Sequence, residues 1–168
     1  MNDSIFAPAA VAGLLTGIAF ALIGSAVEGF VARELLMLLA IAAGVLAGQA
    51  WTIRHHEMAA SGTFGARYFT GMLSGAITGG VYSAIVWLYL AWLDPAYLER
   101  MHAEYMQRAV RSAASAEHGD QVLASAERMR DFILDPLSQA MMQFGTALMI
   151  ALITGLMAAS WIRSARRA

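Results

Sequence analysis

The sequence predicts an all-α membrane protein with four transmembrane helices and an amphipathic helical hairpin inserted between the third and the fourth. Of its 168 residues, 59% are hydrophobic and 14% charged, which exceeds what a soluble core of this size needs. Four apolar runs are long enough to cross a hydrocarbon layer of about 30 Å. The segment between the last two runs is polar and has helical periodicity. We therefore expect one membrane domain covering residues 1–168.

The first two spans are predicted at residues 6–27 and 35–53. Asp3 is the one charged residue before the first span, whereas a cleavable signal peptide begins with basic residues, so we interpret this helix as retained. Glu28, Arg33 and Glu34 mark a polar turn between the two spans. Trp51 lies where an aromatic side chain anchors the end of a helix at the membrane surface.

The third and fourth spans are predicted at residues 68–93 and 136–162. Two Asp-Pro pairs, at Asp94 and Asp135, have the pattern of a helix start. Aspartate is a preferred N-cap, and proline at the first helical position loses no hydrogen bond. The first pair begins the hairpin and the second begins the last span.

The predicted hairpin occupies residues 94–135, with a break at residues 115–119. Leu98, Met101 and Tyr105 share one face of its first helix, and Val122 and Met129 share one face of its second. Acidic and basic residues are mixed on the remaining surface. Periodicity does not show which way the apolar faces point, so three alternatives remain open. The first is that the hairpin covers the bundle, the second that it lies on the lipid surface, and the third that it binds a partner.

Small residues recur at every fourth position in all four spans, which places them on one helical face. In lipid such a face lets two helix backbones approach closely, so that dispersion contacts replace the missing hydrophobic drive. The longest stretch runs from Gly71 to Ser83. The residues predicted to lie at helix–helix contacts are Gly13, Gly17, Gly44, Gly48, Gly71, Gly75, Gly79, Ser83, Ala151 and Gly155.

Several kinds of chemistry are disfavoured by the composition. The chain has no cysteine, which excludes disulfides, thiolate metal sites and cysteine nucleophiles. His55, His56 and Glu57 are potential metal ligands, but adjacent side chains diverge and a site needs three or four converging donors. We interpret them as a polar connector. Because no hydroxyl in a span has a histidine or carboxylate at a similar depth to activate it, we expect no catalytic, metal-binding or cofactor-binding residue.

Coupled transport normally requires a charged or titratable side chain inside a span. The predicted spans hold none away from their ends. Gln49, Thr78, Gln143 and Thr154 are polar but uncharged, and we expect them to make hydrogen bonds between helices. A passive pore lined by the small residues of the third span remains an alternative.

Several short motifs resemble a known family. They are the segment Ser61 to Ala66 at the end of the polar connector, the segment Leu93 to Glu99 after the third span, the hairpin that runs into Phe132, and the basic end of the last span. With the four spans, they make the chain similar to the domain-of-unknown-function family 4199, small four-helix membrane proteins of bacteria. The resemblance implies a fold and a membrane location. It implies no activity and no catalytic residue.

These features favour an integral membrane protein without catalysis, acting as a packing or interaction subunit of a homo-oligomer or larger membrane complex. We expect the lipid bilayer and a membrane-protein partner or second copy as its contacts; a net charge of −1 gives no general attraction to nucleic acid. The alternative is a small passive channel or permease lined by the glycine-rich third span. Arginines lie close to the helix ends on the side of the two termini, which predicts a bacterial inner-membrane protein with cytoplasmic termini.

Overall fold

The computed structural model describes the backbone of residues 3–59, 63–114 and 118–165, and the side chains of residues 6–55, 63–114 and 118–161. These parts of the chain are helical and contain no strand. The helices are α1 (Asp3–Ala26), α2 (Phe30–Ala59), α3 (Phe64–Leu88), which continues as a π-helical turn (Tyr89–Leu93), α4 (Ala96–Ala113), α5 (Gly119–Arg128), α6 (Arg130–Leu134) and α7 (Pro136–Ala165).

Four of these helices are long and apolar enough to cross a membrane, as the sequence predicted. Their apolar stretches are Phe6–Ala26, Phe30–His55, Phe64–Leu93 and Pro136–Trp161, with mean hydropathies between 1.5 and 2.1. Bulky apolar side chains remain exposed along all four, including Leu15 on α1 and Ile153 on α7. A surface of this kind is stable in lipid and not in water. The chain is therefore described below as an integral membrane protein.

The second span begins earlier than the sequence predicted, at Phe30 rather than at residue 35. Gly29 makes the turn before it with φ of +87°, a conformation that glycine adopts without strain, and its carbonyl accepts the N–H of Arg33. Arg33 and Glu34 therefore lie in the helix and not in a polar turn. At its other end α2 continues to Ala59, so the predicted connector around His55 is helical.

The third span also begins earlier, at Phe64 rather than at residue 68. The cause is Thr63, whose hydroxyl accepts the N–H of Ala66 at 3.3 Å and so satisfies one of the free donors at the helix N terminus. Ser61 and Gly62, which precede it in the family motif, lie outside the described residues.

The four long helices form a bundle in which α1 packs against α2 and α3, α7 packs against α2 and α3, and α2 contacts α3 diagonally. Both α2 and α3 carry a buried stripe with a spacing of four residues. On α2 the stripe is Arg33, Met37, Ile41, Val45, Gln49 and Ile53, and on α3 it is Thr70, Ser74, Thr78, Tyr82, Val86 and Leu90.

The predicted packing glycines lie where helix backbones are close. A methyl group on Gly13 would lie 2.6 Å from the carbonyl oxygen of Thr78, and one on Gly75 would lie 2.5 Å from the Ala151 Cβ. Added methyl groups at Gly17, Gly44, Gly48, Gly71, Gly79 and Gly155 would also meet atoms of neighbouring helices within 3.3 Å. Ser83 differs, because its hydroxyl donates to the Gly80 carbonyl in its own helix.

Hydrogen bonds join the same helices inside the apolar region. Gln49 donates from Nε2 to the Ala151 carbonyl at 2.9 Å and accepts the Thr154 hydroxyl at 2.8 Å. The hydroxyl of Thr78 donates to the Ala9 carbonyl at 3.0 Å, and that of Tyr82 donates to Gln143 Oε1 at 3.1 Å. The four polar residues expected to bond between helices, Gln49, Thr78, Gln143 and Thr154, all do so. Glycine also makes room for Gln49, since a methyl group on Gly75 would lie 3.0 Å from its Nε2.

The helices α4, α5 and α6 lie at one end of the bundle, and we call them the cap. α4 packs against α5 and α6 and contacts the π-helical turn, while α6 contacts α7. Tyr97 and Leu98 of α4 are 3% exposed and belong to the same buried cluster as Phe20 and Val86 of the bundle. The first turns of α4 are therefore part of the bundle core.

Gly75→Ala should destabilise the protein, because the new methyl group meets the Ala151 Cβ and the Gln49 amide at once. We expect a loss of about 1–3 kcal/mol, the range for overpacking of a tight interface. Gly80→Ala, on the same helix, is the matched control, since a methyl group there has no neighbour within 4 Å. Thermal unfolding of both variants in detergent, followed by circular dichroism, compares them. Equal melting temperatures would contradict the interface at Gly75.

Candidate functional site

A half-buried ion pair joins the cap to the bundle. Arg33, in the second turn of α2, is 6% exposed, and its Nη2 lies 2.6 Å from Oε2 of Glu104 on α4. Its Nη1 donates to the other carboxylate oxygen at 3.5 Å. A charge is retained in an apolar core when it is paired, because removing one partner leaves the other desolvated and uncompensated. The pair therefore holds α4 against the start of α2.

Aromatic rings complete the surroundings of this pair. The Arg33 guanidinium lies 5.4 Å from the ring centre of Tyr97 and 5.9 Å from that of Phe30. On Phe30, Arg108 of α4 makes a closer contact at 4.1 Å. Cations are attracted to the faces of such rings, most strongly where water is excluded. Burial also raises the pKa of the Tyr97 phenol to about 12.

Four aromatic side chains pack beneath the ion pair. Phe20 of α1 lies 6.0 Å from Tyr82, 6.1 Å from Tyr89 and 6.3 Å from Tyr97, measured between ring centres. The contacts to Tyr82 and Tyr89 are edge-to-face, a favourable geometry for aromatic pairs. This cluster fills the space between α1, α3 and α4.

Asp94, predicted as a helix cap, joins two helices in the structure. Helix α4 begins at Ala96, after Pro95, and the backbone N–H of Tyr97 in its first turn bonds to Asp94. Asp94 follows the π-helical turn, and its carboxylate accepts hydrogen bonds from Arg100 and from the hydroxyl of Tyr89. The hydrogen bond from Arg100 is the main reason why the pKa of Asp94 lies below its ordinary value, with burial acting in the opposite direction. The residue thus ties the end of α3 to α4.

Asp135 lies at the N terminus of α7. Its carboxylate accepts the N–H groups of Leu137 at 3.3 Å and Ser138 at 2.9 Å, and the Ser138 hydroxyl at 2.6 Å. The bonds from Ser138 lower the pKa of Asp135. The proline at position 136 begins the helix without an N–H to satisfy.

A cavity of about 200 Å³ lies between the bundle and the cap. Helices of both contribute to its walls, which are mostly aromatic and methionine side chains: Phe20, Phe30, Met37, Met101, Phe132 and Met142. Methionine is unbranched and polarisable, so a cavity lined by it adapts to apolar occupants of different shapes. An apolar cavity of about 150 Å³ is already large enough for one benzene ring.

Three polar side chains also line this cavity: Glu34, Gln139 and Gln143. Gln139 donates to the Phe132 carbonyl at 3.2 Å, and Gln143 accepts the Tyr82 hydroxyl through Oε1. Within the described part of the chain, no group donates a hydrogen bond to the Glu34 carboxylate or accepts one from the Gln143 amide nitrogen. The lining residues thus carry several groups without a hydrogen-bond partner among the described residues: the Glu34 carboxylate, the Gln143 amide nitrogen, Gln139 Oε1 and the Tyr105 hydroxyl.

A groove of about 420 Å³ lies next to the cavity, on the side of the bundle. The two spaces share the lining residues Phe30, Glu34, Met37, Met142 and Gln143. From there the groove runs between α2 and α7 to Ile41 and Thr146, which lie farther from the cap. Leu35 and Leu38, on its α2 side, are 55% and 46% exposed. The groove therefore opens toward the surrounding lipid.

The structure does not assemble the histidines into a site. His55 packs beside Trp51 at the opposite end of the bundle from the cap, and the side chains of His56 and Glu57 lie outside the described residues. His102 and His118 belong to the cap. Among the described residues no group of three His, Cys, Asp or Glu is placed to hold a metal ion.

The sequence did not single out three functional candidates, which are Arg33, Glu34 and Glu104. Arg33 and Glu34 were interpreted as part of a turn, and Glu104 belongs to the mixed charged surface predicted for the hairpin. The sequence contains a signal for Arg33, since it precedes Met37 and Ile41 by four and eight residues and so shares their buried face. It contains none for Glu104, because contact between residues 33 and 104 depends on how α4 folds back.

A family model described as protein of unknown function (DUF4199) matches residues 4–164, nearly the whole chain, which confirms the resemblance inferred from the motifs. No curated protein and no solved structure gives a significant match. The match establishes membership in a family and adds no activity.

Glu104→Gln should destabilise the protein by about 1–3 kcal/mol, because it leaves the buried Arg33 guanidinium without its counter-charge, while the partly exposed position of Glu104 lets water screen part of the loss. The matched control is Glu127→Gln, which removes an exposed pair with Arg130 at 3.8 Å and should change stability by less than about 1 kcal/mol. Replacing both partners, as Arg33→Met with Glu104→Leu, should restore much of the loss. Thermal unfolding in detergent measures all three. A double variant no more stable than Glu104→Gln would contradict the ion-pair interpretation.

Asp94 should make stability depend on pH. Because the folded state lowers its pKa below the ordinary value of 3.8, its stabilisation is complete above that value and is lost as pH falls through the folded pKa. Asp94→Asn should therefore lower the melting temperature at pH 7, and the difference from the natural protein should shrink toward pH 3. A difference that stays constant over this range would show that the carboxylate charge does not contribute.

Proposed function

This chain belongs to the protein family of unknown function DUF4199, and we propose that it is a non-enzymatic integral membrane protein acting as an interaction subunit of a homo-oligomer or larger membrane complex. The observation that carries the proposal is the outer surface of the cap, where apolar side chains are exposed among charges of both signs. The bundle anchors this surface, and the cap recognises the partner.

The small-residue faces do not supply the contact with the partner. Each packing glycine meets a neighbouring helix of the same chain, so these faces are occupied inside the bundle. The outer faces of the long helices carry large apolar side chains, whereas helix–helix interfaces in membranes favour small ones. The proposed contact with a partner is therefore made through the cap.

The cap has the composition of a protein-binding surface. Val110, Met129 and Phe132 are 54%, 44% and 42% exposed on the cap, and Met129 and Phe132 also line the cavity beneath it. Arg111, Arg128 and Asp131 are exposed on the same helices. Mixed charges favour a specific protein contact over adhesion to anionic lipid, which requires a basic cluster.

The connections between the cap and the bundle support this role. The Arg33–Glu104 pair and the Asp94–Arg100 pair hold α4 at two points, and Tyr97 inserts into the aromatic cluster between them. A surface fixed in this way loses little conformational freedom when a partner binds. With both termini in the cytoplasm of a bacterium, as the arginine distribution predicts, the cap faces the periplasm and recognises a partner there.

A passive channel or permease lined by the third span is the alternative. In the described packing the small residues of α3 contact α2 and α7, and a single methyl group on Gly75 or Gly79 would meet Ala151 or Ala147 within 3.0 Å. This leaves no path along that face in one copy of the chain. Solute flux through liposomes that contain the purified protein would favour the channel.

Val110→Glu should weaken self-association or partner capture at least tenfold, because it buries a charge in the proposed contact. The matched control is Gln107→Glu, an exposed position on the same helix that receives the same charge without losing an apolar side chain. Mild crosslinking in native membranes and the mass of the detergent-solubilised complex give the readout, with melting temperature as the check on folding. A strictly monomeric protein without a crosslinked partner would overturn the proposal.

A further inference from the structure

The cavity beneath the cap has the walls of a ligand site. Phe20, Phe30 and Phe132 contribute aromatic rings, and Met101 and Met142 contribute flexible side chains from the cap and from α7. Its volume of about 200 Å³ exceeds the roughly 150 Å³ that accommodates a benzene ring. A flat apolar group therefore fits, and aromatic rings favour stacked or edge-to-face contact with it.

The way into this cavity passes through the lipid. Met142 and Gln143 line both the cavity and the groove between α2 and α7, and the groove reaches down to Ile41. A groove at this depth is in contact with hydrocarbon, where water is absent. A molecule with a long apolar tail can place its head in the cavity while the tail remains in the groove.

The charges around the cavity disfavour a phospholipid head. Glu34 is the charged side chain among the described lining residues, and the nearby Arg33 is already paired with Glu104. A phosphate group entering the cavity would be desolvated beside the Glu34 carboxylate, with no positive side chain in the described lining to pair with it. The Gln143 amide nitrogen and the Glu34 carboxylate have no partners among the described residues and are free to bind one carbonyl and one hydroxyl.

We propose that this cavity and groove bind a neutral membrane lipid with a ring-shaped head and a single long tail, the chemistry of an isoprenoid quinone or quinol. A ring carbonyl accepts from the Gln143 amide, and a ring hydroxyl donates to Glu34. The aromatic and methionine side chains surround the ring, and the tail lies between α2 and α7. Ordinary phospholipids are excluded from the cavity because their heads are charged.

The experiment measures binding of a benzoquinone with a decyl tail to the purified full-length protein in detergent, by equilibrium dialysis. We expect saturable binding of one molecule per chain that phosphatidylglycerol does not displace. Met142→Trp, which places a large side chain between cavity and groove, should weaken binding at least tenfold. The matched control Met141→Trp changes the neighbouring residue, which is exposed and lies outside the lining of both spaces, and should bind within twofold of the natural protein.

Circular dichroism confirms that both variants are folded before their affinities are compared. Glu34→Gln provides a second readout: it should weaken the quinol, which donates to the carboxylate, more than the quinone. The proposal is overturned if binding is not saturable, if phosphatidylglycerol competes, or if the two tryptophan variants bind equally. Competition by phosphatidylglycerol would assign the groove to an ordinary acyl chain.

Discussion

Helices in a bilayer gain little by burying apolar side chains against one another, because the surrounding lipid tails are as apolar as leucine. Their association depends on close backbone approach and on hydrogen bonds that lipid cannot offer. In this protein glycine serves both needs. Gly75 lets α3 approach Ala151 of α7, and the space it leaves is also occupied by the Gln49 amide, which bonds to the Ala151 carbonyl. In the half of the bundle away from the cap, the close helix packing and the hydrogen bonds between helices thus depend on the same glycine.

This arrangement changes along the helices toward the cap. On α3 the buried stripe passes from Thr70, Ser74 and Thr78 to Tyr82, Val86 and Leu90, and on α1 it passes from Ala12 and Thr16 to Phe20. Toward the cap, aromatic contacts and the Arg33–Glu104 pair join the helices in addition to glycine, since a methyl group on Gly24 would lie 3.2 Å from the Tyr97 ring. The cavity lies among these larger side chains.

Much of this fold follows from local sequence signals. Apolar run length predicts the four spans, period four predicts the glycine contacts, and polar residues such as Gln49 and Thr78 are predicted to bond between helices because lipid offers them no alternative. The errors fall at the helix starts and in the cap. Arg33 was assigned to a turn because it is charged, although its spacing from Met37 places both residues on one helix face. The hydrogen bonds of Asp94 come from Tyr89 in the π-helical turn and from Arg100 on α4, which no local pattern brings together. Contacts between α4 and α2 join residues 71 positions apart, and no local pattern specifies them.

The stripe on α2 explains why the site lies at one end of the bundle only. Arg33 and Gln49 occupy the same face, separated by apolar residues, and both are buried polar groups that need partners. Gln49 is neutral and finds both partners on α7, where Gly75 of α3 makes room for its amide. Arg33 is charged, and no residue of the long helices provides a carboxylate opposite it, so its counter-charge comes from α4. The charge of Arg33 is therefore neutralised when the cap folds back onto the bundle. The cavity lies in the space that the cap and the bundle enclose in this way.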